Sequence, residues 1–104
     1  MTLLKKPCKI IYEESFVEDL QTIMLYIART LQNVKASKDF LAAVKKRVKQ
    51  RSYAPDNYEK YHGTNDVVYY RAYVGNYVMY YTYVDDVMYL KRLLYGGSKR
   101  DSVM

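Results

Sequence analysis

The chain of 104 residues is short of the residue types that carry much of protein chemistry. It has one cysteine, Cys8, so no disulfide can close within it, which fits a reducing cytoplasm. It has one histidine, His62, and one His with one Cys cannot build a conventional metal site. No metal and no cofactor are therefore expected. No stretch approaches the ~18 consecutive apolar residues of a membrane span, and the amino end, "MTLLKKPCK", lacks the unbroken apolar run of a signal peptide. A membrane partner is not expected. There are no internal repeats and no low-complexity segments. The length fits one domain, residues 1–104, with a structured core over 8–96 and a basic flexible tail over 97–104.

Positive charge and tyrosine are in excess. Lys and Arg number 17 against 11 Asp and Glu, a net charge of +6. That balance suggests an anionic partner such as nucleic acid or an acidic protein segment. Solubility alone is the bland alternative, and the clustering of the charge weighs against it. There are 14 tyrosines, and "YYRAYVGNYVMYYTYVDD", Tyr69 to Asp86, crowds seven of them around a single arginine, Arg71.

Organisation along the chain follows from spacing. "CKIIY", Cys8 to Tyr12, is short, apolar and β-branched, a strand that Pro7 can precede. Cys8 then reads as a small buried residue rather than a nucleophile. Ser15 with Glu18 forms a capping-box pattern. Phe16, Leu20, Ile23, Met24, Ile27 and Leu31 follow as one apolar stripe on a helix of about four to five turns. Asn33 or Ser37 opens a second helix, whose inner face carries Phe40, Val44 and Val48. Its polar side carries Lys45, Lys46, Arg47, Lys49 and Arg51. Such a run is most often a solvated face; its functional reading is a track for phosphates or acidic side chains. The short connection makes the helices an antiparallel hairpin. Residues 52–66 read as a long loop holding Pro55, Gly63 and His62. A lone loop histidine is commonly just a surface residue, although it titrates near neutrality.

Three strands follow: "VVYYRAYV", "NYVMYYTYV" and "VMYLKRLLY", with turns at Gly75–Asn76 and Asp85–Asp86. Alternation puts Val68, Tyr70, Ala72 and Val74 on a face toward the helices, and Tyr69, Arg71 and Tyr73 on the other. Tyr77, Met79, Tyr81 and Tyr83 go with the first set. In the last strand Lys91 and Arg92 interrupt both faces, and alternation does not say which is buried. Some tyrosines are half-buried core residues. Those beside Arg71 can form an aromatic and cationic surface for bases and phosphates or for a protein partner. Tyrosine as a generic strand former explains most of the enrichment but not Arg71.

The order strand, helix hairpin, loop, three-stranded meander and basic tail resembles the RelE/ParE superfamily of bacterial toxin–antitoxin toxins. The likeness rests on "YEESFVEDLQTIMLYIA", on the Pro55 loop, and on "YYRAYVGNYVMYYTYVDDVMYLKRLLYGGSKRD", and spans Ile10 to Asp101. The resemblance implies an α+β fold: an N-terminal strand and a helix hairpin packed on a mainly antiparallel sheet, completed by the meander. It implies a cytoplasmic toxin that inhibits growth, associated with plasmid stabilisation, and a cognate antitoxin that wraps it. A homodimer and a hetero-oligomer with antitoxin both stay open. RelE-like members cleave messenger RNA on the ribosome; ParE-like members poison DNA gyrase and are not nucleases.

Cleavage by a 2′-hydroxyl needs a proton acceptor, cations at the phosphate and a proton donor for the leaving oxygen. The resemblance points to Arg71, Tyr95, Lys99 and Arg100 as that cluster, with Glu59 and His62 as weaker proton acceptors. Arg71 and Tyr73 with Lys45, Lys46 and Arg47 are the target-binding candidates. The family commonly carries "Y-R-x-x-Y" on its second meander strand, whereas here Tyr77 is followed by Val78. Loss of one cation of this kind costs about 10²–10³ in rate. This tilts the expectation toward the gyrase mode. The ribosomal nuclease, and a decayed toxin that keeps only antitoxin binding, are the alternatives.

Overall fold

A computed structural model describes residues 6–63 and 65–96. The chain runs β1 (Lys9–Tyr12), α1 (Glu14–Leu25), a π-helical turn (Tyr26–Thr30), α2 (Val34–Ser52), β2 (Lys60–His62), β3 (Val68–Val74), β4 (Tyr77–Val84) and β5 (Val87–Tyr95). The strands form one sheet in the order β1-β5-β4-β3-β2. β1 is parallel to β5 and the other pairs are antiparallel. This is the α+β architecture expected from the sequence. The tail at 97–104, with Lys99 and Arg100, lies outside the described residues.

Both meander turns are fixed by backbone that few residue types tolerate. Gly75 takes φ +57° between β3 and β4. Asp85 and Asp86 take φ 51° and 64°, the two left-handed positions of a type I′ turn, which Asp accepts better than most residues. The Tyr83 hydroxyl donates to the Asp86 carboxylate at 3.0 Å across that turn.

The start of α1 departs from the capping box. The Glu13 N–H donates to the Leu90 carbonyl at 3.1 Å, so the chain is still held to the sheet one residue before the helix begins. Glu13 becomes the N-cap without a side-chain bond, and Ser15 falls inside the first turn. The strand contact overrides the local signal. At the other hairpin end Asn33 is the cap that is used, its side chain accepting from the Ala36 N–H at 2.9 Å. Ser37, the other candidate, is buried inside α2, and its hydroxyl donates to the Met24 carbonyl, tying the helices together.

The core lies between the hairpin and one sheet face. Phe16, Val44, Ala72, Met79, Tyr81, Met88 and Leu90 are fully buried there, with Ile23, Val48, Tyr70, Val74 and Leu93 close to it. The inward sets expected for β3 and β4 are therefore the observed ones, except that Val68 is half-buried outside this core. Tyr70 and Tyr81 stack at 5.4 Å, and Phe40 meets Tyr77 edge-on at 5.1 Å.

Three local readings need correction. Residues 52–66 are not all loop: β2 pairs with β3 at the sheet edge, Lys60 opposite Tyr70 and His62 opposite Val68. Arg51 is not on the solvated side of α2. It is only 9% exposed; its guanidinium donates to the Tyr81 hydroxyl at 3.1 Å and lies 3.5 Å from the centre of the Tyr58 ring. Tyr81 in turn donates to the Pro55 carbonyl at 2.7 Å. Burial pushes the Tyr81 phenol up to about 12 despite the opposing pull of Arg51. These groups pin the segment after α2 to the sheet. Finally, strict alternation fails in β5. Tyr80 faces Arg92 while Tyr81 faces Leu90, so Lys91 is a bulge residue. The bulge lets both Leu90 and Leu93 point into the core.

Candidate functional site

The sheet face turned away from the helices has its own ordered layer. Val78 and Tyr80 are fully buried on it, although neither belongs to the helix-facing core. Tyr61 from β2 lies 5.9 Å from Tyr80 and 6.2 Å from Tyr69. The short edge strand thus brings an aromatic ring over the meander. The Arg71 guanidinium sits 4.9 Å from the centre of the Tyr61 ring. Such a contact steadies a cation by about 0.5–2 kcal/mol while its N–H edges keep their donor geometry. Tyr73 stands further along β3, 55% exposed and opposite Val78.

The register continues this layer across the sheet. Arg71 is opposite Tyr80, and Tyr80 is opposite Arg92, so a phenol is flanked by two guanidinium-bearing positions on neighbouring strands. Arg92 is committed elsewhere. Its Nε and Nη2 donate to the two oxygens of Asp19 at 2.7 and 3.2 Å, and the same carboxylate accepts from the Leu93 N–H at 2.9 Å. The hydrogen bond to Asp19 raises the pKa of Arg92 further above its ordinary value. β1 pairs with β5 only as far as Leu90. The Asp19 side chain takes over the exposed edge beyond that point and holds the bulged half of β5 against α1. Sequence reading saw Arg92 as an interruption. It could not see the role, because the bulge decides which way that side chain points.

A broad depression of about 620 Å³ is lined by Glu13, Lys60, Val67, Thr82, Tyr89 and Lys91, among others. Lys91 and Glu13 form an ion pair at 2.8 Å on its wall. None of the site candidates drawn from the sequence is among the described residues that line it.

Those candidates divide into groups. Arg71 and Tyr73 share the outer sheet face. Tyr95 is on the other side of the sheet: it meets Tyr77 edge-on at 5.7 Å and lines an apolar groove of about 480 Å³ with Thr22, Ile23 and Tyr26. Arg71 and Tyr95 are therefore not brought together. Lys99 and Arg100 lie outside the described residues. Glu59 is exposed just before β2, and His62 is exposed at its end. Lys45, Lys46 and Arg47 are exposed on α2, but not as one cluster. Lys46 and Arg47 border a small depression beside the β3–β4 turn with Ala43, Gln50, Val74 and Gly75. Cys8 is half-buried, burial raises its thiol pKa, and its N–H donates to the Ser52 carbonyl at 2.8 Å. It is a structural residue rather than a nucleophile. Among the described residues no group of three His, Cys, Asp or Glu side chains could hold a metal ion. No described helix is long and apolar enough to cross a membrane.

Comparison with known proteins places this geometry. The model of the family described as ParE toxin of type II toxin–antitoxin system, parDE, matches residues 10–99. No curated protein matches the chain. Among solved structures the chain is similar to one from Pyrococcus horikoshii OT3, described as an archaeal RelE–RelB complex. The two share 21% identity over 88% of this chain and 98% of that one, with a TM-score of 0.56, a likeness of fold.

Proposed function

The chain belongs to the ParE toxin family of type II toxin–antitoxin systems, and from that premise we propose that it stops growth by inhibiting DNA gyrase, without cutting RNA. The observation that carries this reading is Val78. It occupies the place directly after Tyr77 where the RelE-like pattern carries Arg, and it is fully buried between Tyr73 and Leu94 on the neighbouring strands. An apolar, inaccessible side chain there cannot meet the charge that builds on a cleaved phosphate. The separation of Arg71 from Tyr95 supports the same reading, since a proton donor on the far side of the sheet cannot serve a phosphate held by Arg71.

In this reading Arg71, steadied by Tyr61 and flanked by the exposed Tyr73, is the contact for an acidic group of the target. Arg and Tyr at the centre of a rigid surface are the residue types that dominate protein interfaces. The inhibited state is a complex with a cognate antitoxin. The similar archaeal RelE, solved as a complex with RelB, supports that expectation.

The test is direct. Purified toxin is added to gyrase with relaxed plasmid, and separately to a cell-free translation reaction whose mRNA ends are mapped. The proposal expects supercoiling to stall and the mRNA ends to stay unchanged. Codon-spaced cuts with normal supercoiling would replace it with the ribosomal nuclease. If neither assay responds and induced cells grow normally, the chain keeps only antitoxin binding.

A further inference from the structure

The cations of this protein fall into two kinds. On the sheet four have a specific partner: Arg92 with Asp19, Lys91 with Glu13, Arg71 with Tyr61, and, at the end of α2 against the sheet, Arg51 with Tyr81 and Tyr58. On the outer side of α2, among the described residues, only Lys35 is paired, with Asp39 at 2.9 Å. Beyond Asp39 the chain has no acidic residue until Asp56. Lys38, Lys45, Lys46 and Lys49 are exposed there, and none forms an ion pair among the described residues.

Helix geometry sorts them further. At 3.6 residues per turn, Lys38, Lys45 and Lys49 fall within about 40° of one another, and they span about 16 Å along the axis. Lys46 stands beside this stripe. Arg47 is turned about 180° from Lys38, toward the depression at the β3–β4 turn. A face that is merely solvated commonly alternates sign, because like charges four residues apart destabilise a helix. Lys45 and Lys49 are such a like-charged pair, on a helix anchored to the core by the buried Val44 and Val48 on the neighbouring face.

We propose that this Lys38–Lys45–Lys49 stripe, with Lys46 beside it, binds the phosphate backbone of duplex DNA without sequence preference. The composition of the face selects this partner. An acidic peptide would need apolar or aromatic residues to bury, and lysine is depleted at such interfaces. Here Ala42 stands within the stripe, and only the half-buried Leu41 and the exposed Val34 border it, a small apolar area for a peptide to cover. Base stacking on a single strand would need aromatic rings, and the stripe has none. Phosphates in series need only a rigid row of point charges, which lysine supplies. A length of 16 Å of duplex presents about nine phosphates, ample for four lysines. The proposal does not depend on which target the toxin inhibits.

The test uses the full chain and a fluorescein-labelled 24-base-pair DNA duplex of arbitrary sequence, read by anisotropy between 50 and 200 mM salt. Binding is expected in the range of about 10⁻⁴–10⁻⁶ M, with a logarithm of affinity that falls linearly with the logarithm of salt. The triple variant Lys38→Gln, Lys45→Gln, Lys49→Gln is expected to bind at least about tenfold more weakly at 50 mM salt and to flatten that slope by about 2–3. The single Lys45→Gln should flatten it by about 0.9, and serves if the triple variant does not fold. Arg47→Gln, which removes equal charge on the other side of the helix, should leave affinity within about threefold of the parent. The inference is overturned if the parent does not bind at 50 mM salt, or if the lysine variants bind as the parent does. It is equally overturned if Arg47→Gln weakens binding as much as Lys45→Gln, which would reduce the effect to net charge. Displacement of the duplex by polyglutamate at equal charge concentration would assign the face to an acidic polypeptide instead.

Discussion

Replacing Asp19 by alanine removes the carboxylate that closes the open edge of β5. Two charge-assisted bonds to Arg92 at 2.7 and 3.2 Å and one from the Leu93 N–H at 2.9 Å disappear together. The side chains are 32% and 17% exposed, so the pair is partly screened. A fully buried pair broken on one side costs about 3–5 kcal/mol. Discounting for solvent, and adding the stranded N–H, gives about 2–3 kcal/mol. For a domain of this size that lowers Tm by about 10–20 °C. Asp19→Asn keeps an acceptor for the Leu93 N–H and should lose only about 1 kcal/mol. The decisive measurement is a double-mutant cycle with Arg92→Met in urea unfolding. Arg92 and Asp19 should couple by about 1–2 kcal/mol. A coupling below about 0.5 kcal/mol would make the bond a surface decoration and refute the claim that Asp19 holds the bulged half of β5.

Three further outcomes are expected. Tyr81 has a folded pKa of about 12 against an ordinary value of 10, so the folded state holds the phenolic proton more tightly. Its contribution is complete below pH ~10 and is lost as pH rises toward 12, about 2–3 kcal/mol in all. Tyr81→Phe costs about 1–2 kcal/mol at neutral pH through the lost bonds to Arg51 and Pro55, but its stability should decline less between pH 10 and 12; an unchanged alkaline decline would contradict this. Gly96→Ala places a Cβ 2.7 Å from the Asn76 backbone oxygen and should destabilise by about 1–3 kcal/mol in thermal melts, whereas a neutral change would mean that the strand end is not held there. Arg71→Ala should abolish growth arrest on induction while keeping the parent circular dichroism spectrum, and a toxic, folded variant would remove Arg71 from the target surface.

The fold was largely legible because its strongest signals are local and mutually consistent. Period-two patterns in β3 and β4, the Asp85–Asp86 turn and the helical stripe from Phe16 to Ile27 agree with the observed burial, whereas Leu31, past the π-helical turn, is 56% exposed. What stayed hidden depends on contacts between distant residues. β2 has three residues, too few for a pattern, and is recruited by pairing with β3. Arg51 looks like its basic neighbours, and only the Tyr58 and Tyr81 rings draw it inward. The bulge at Lys91 inverts the phase of β5, which placed Arg92 and Tyr95 beyond the reach of alternation. The candidate site was legible on β3, where Arg71 and Tyr73 face outward as the period requires. It was not legible in Tyr95, whose partners are the residues of an apolar groove beside α1.

The measurement that bears most directly on the account is supercoiling by gyrase in the presence of the purified wild-type chain or of Arg71→Ala, with mRNA ends mapped in cells induced to express each. The account predicts that the wild type stalls supercoiling, that Arg71→Ala does not, and that mRNA ends are unaltered in both. Normal supercoiling together with new, codon-spaced mRNA ends in the wild type would contradict it.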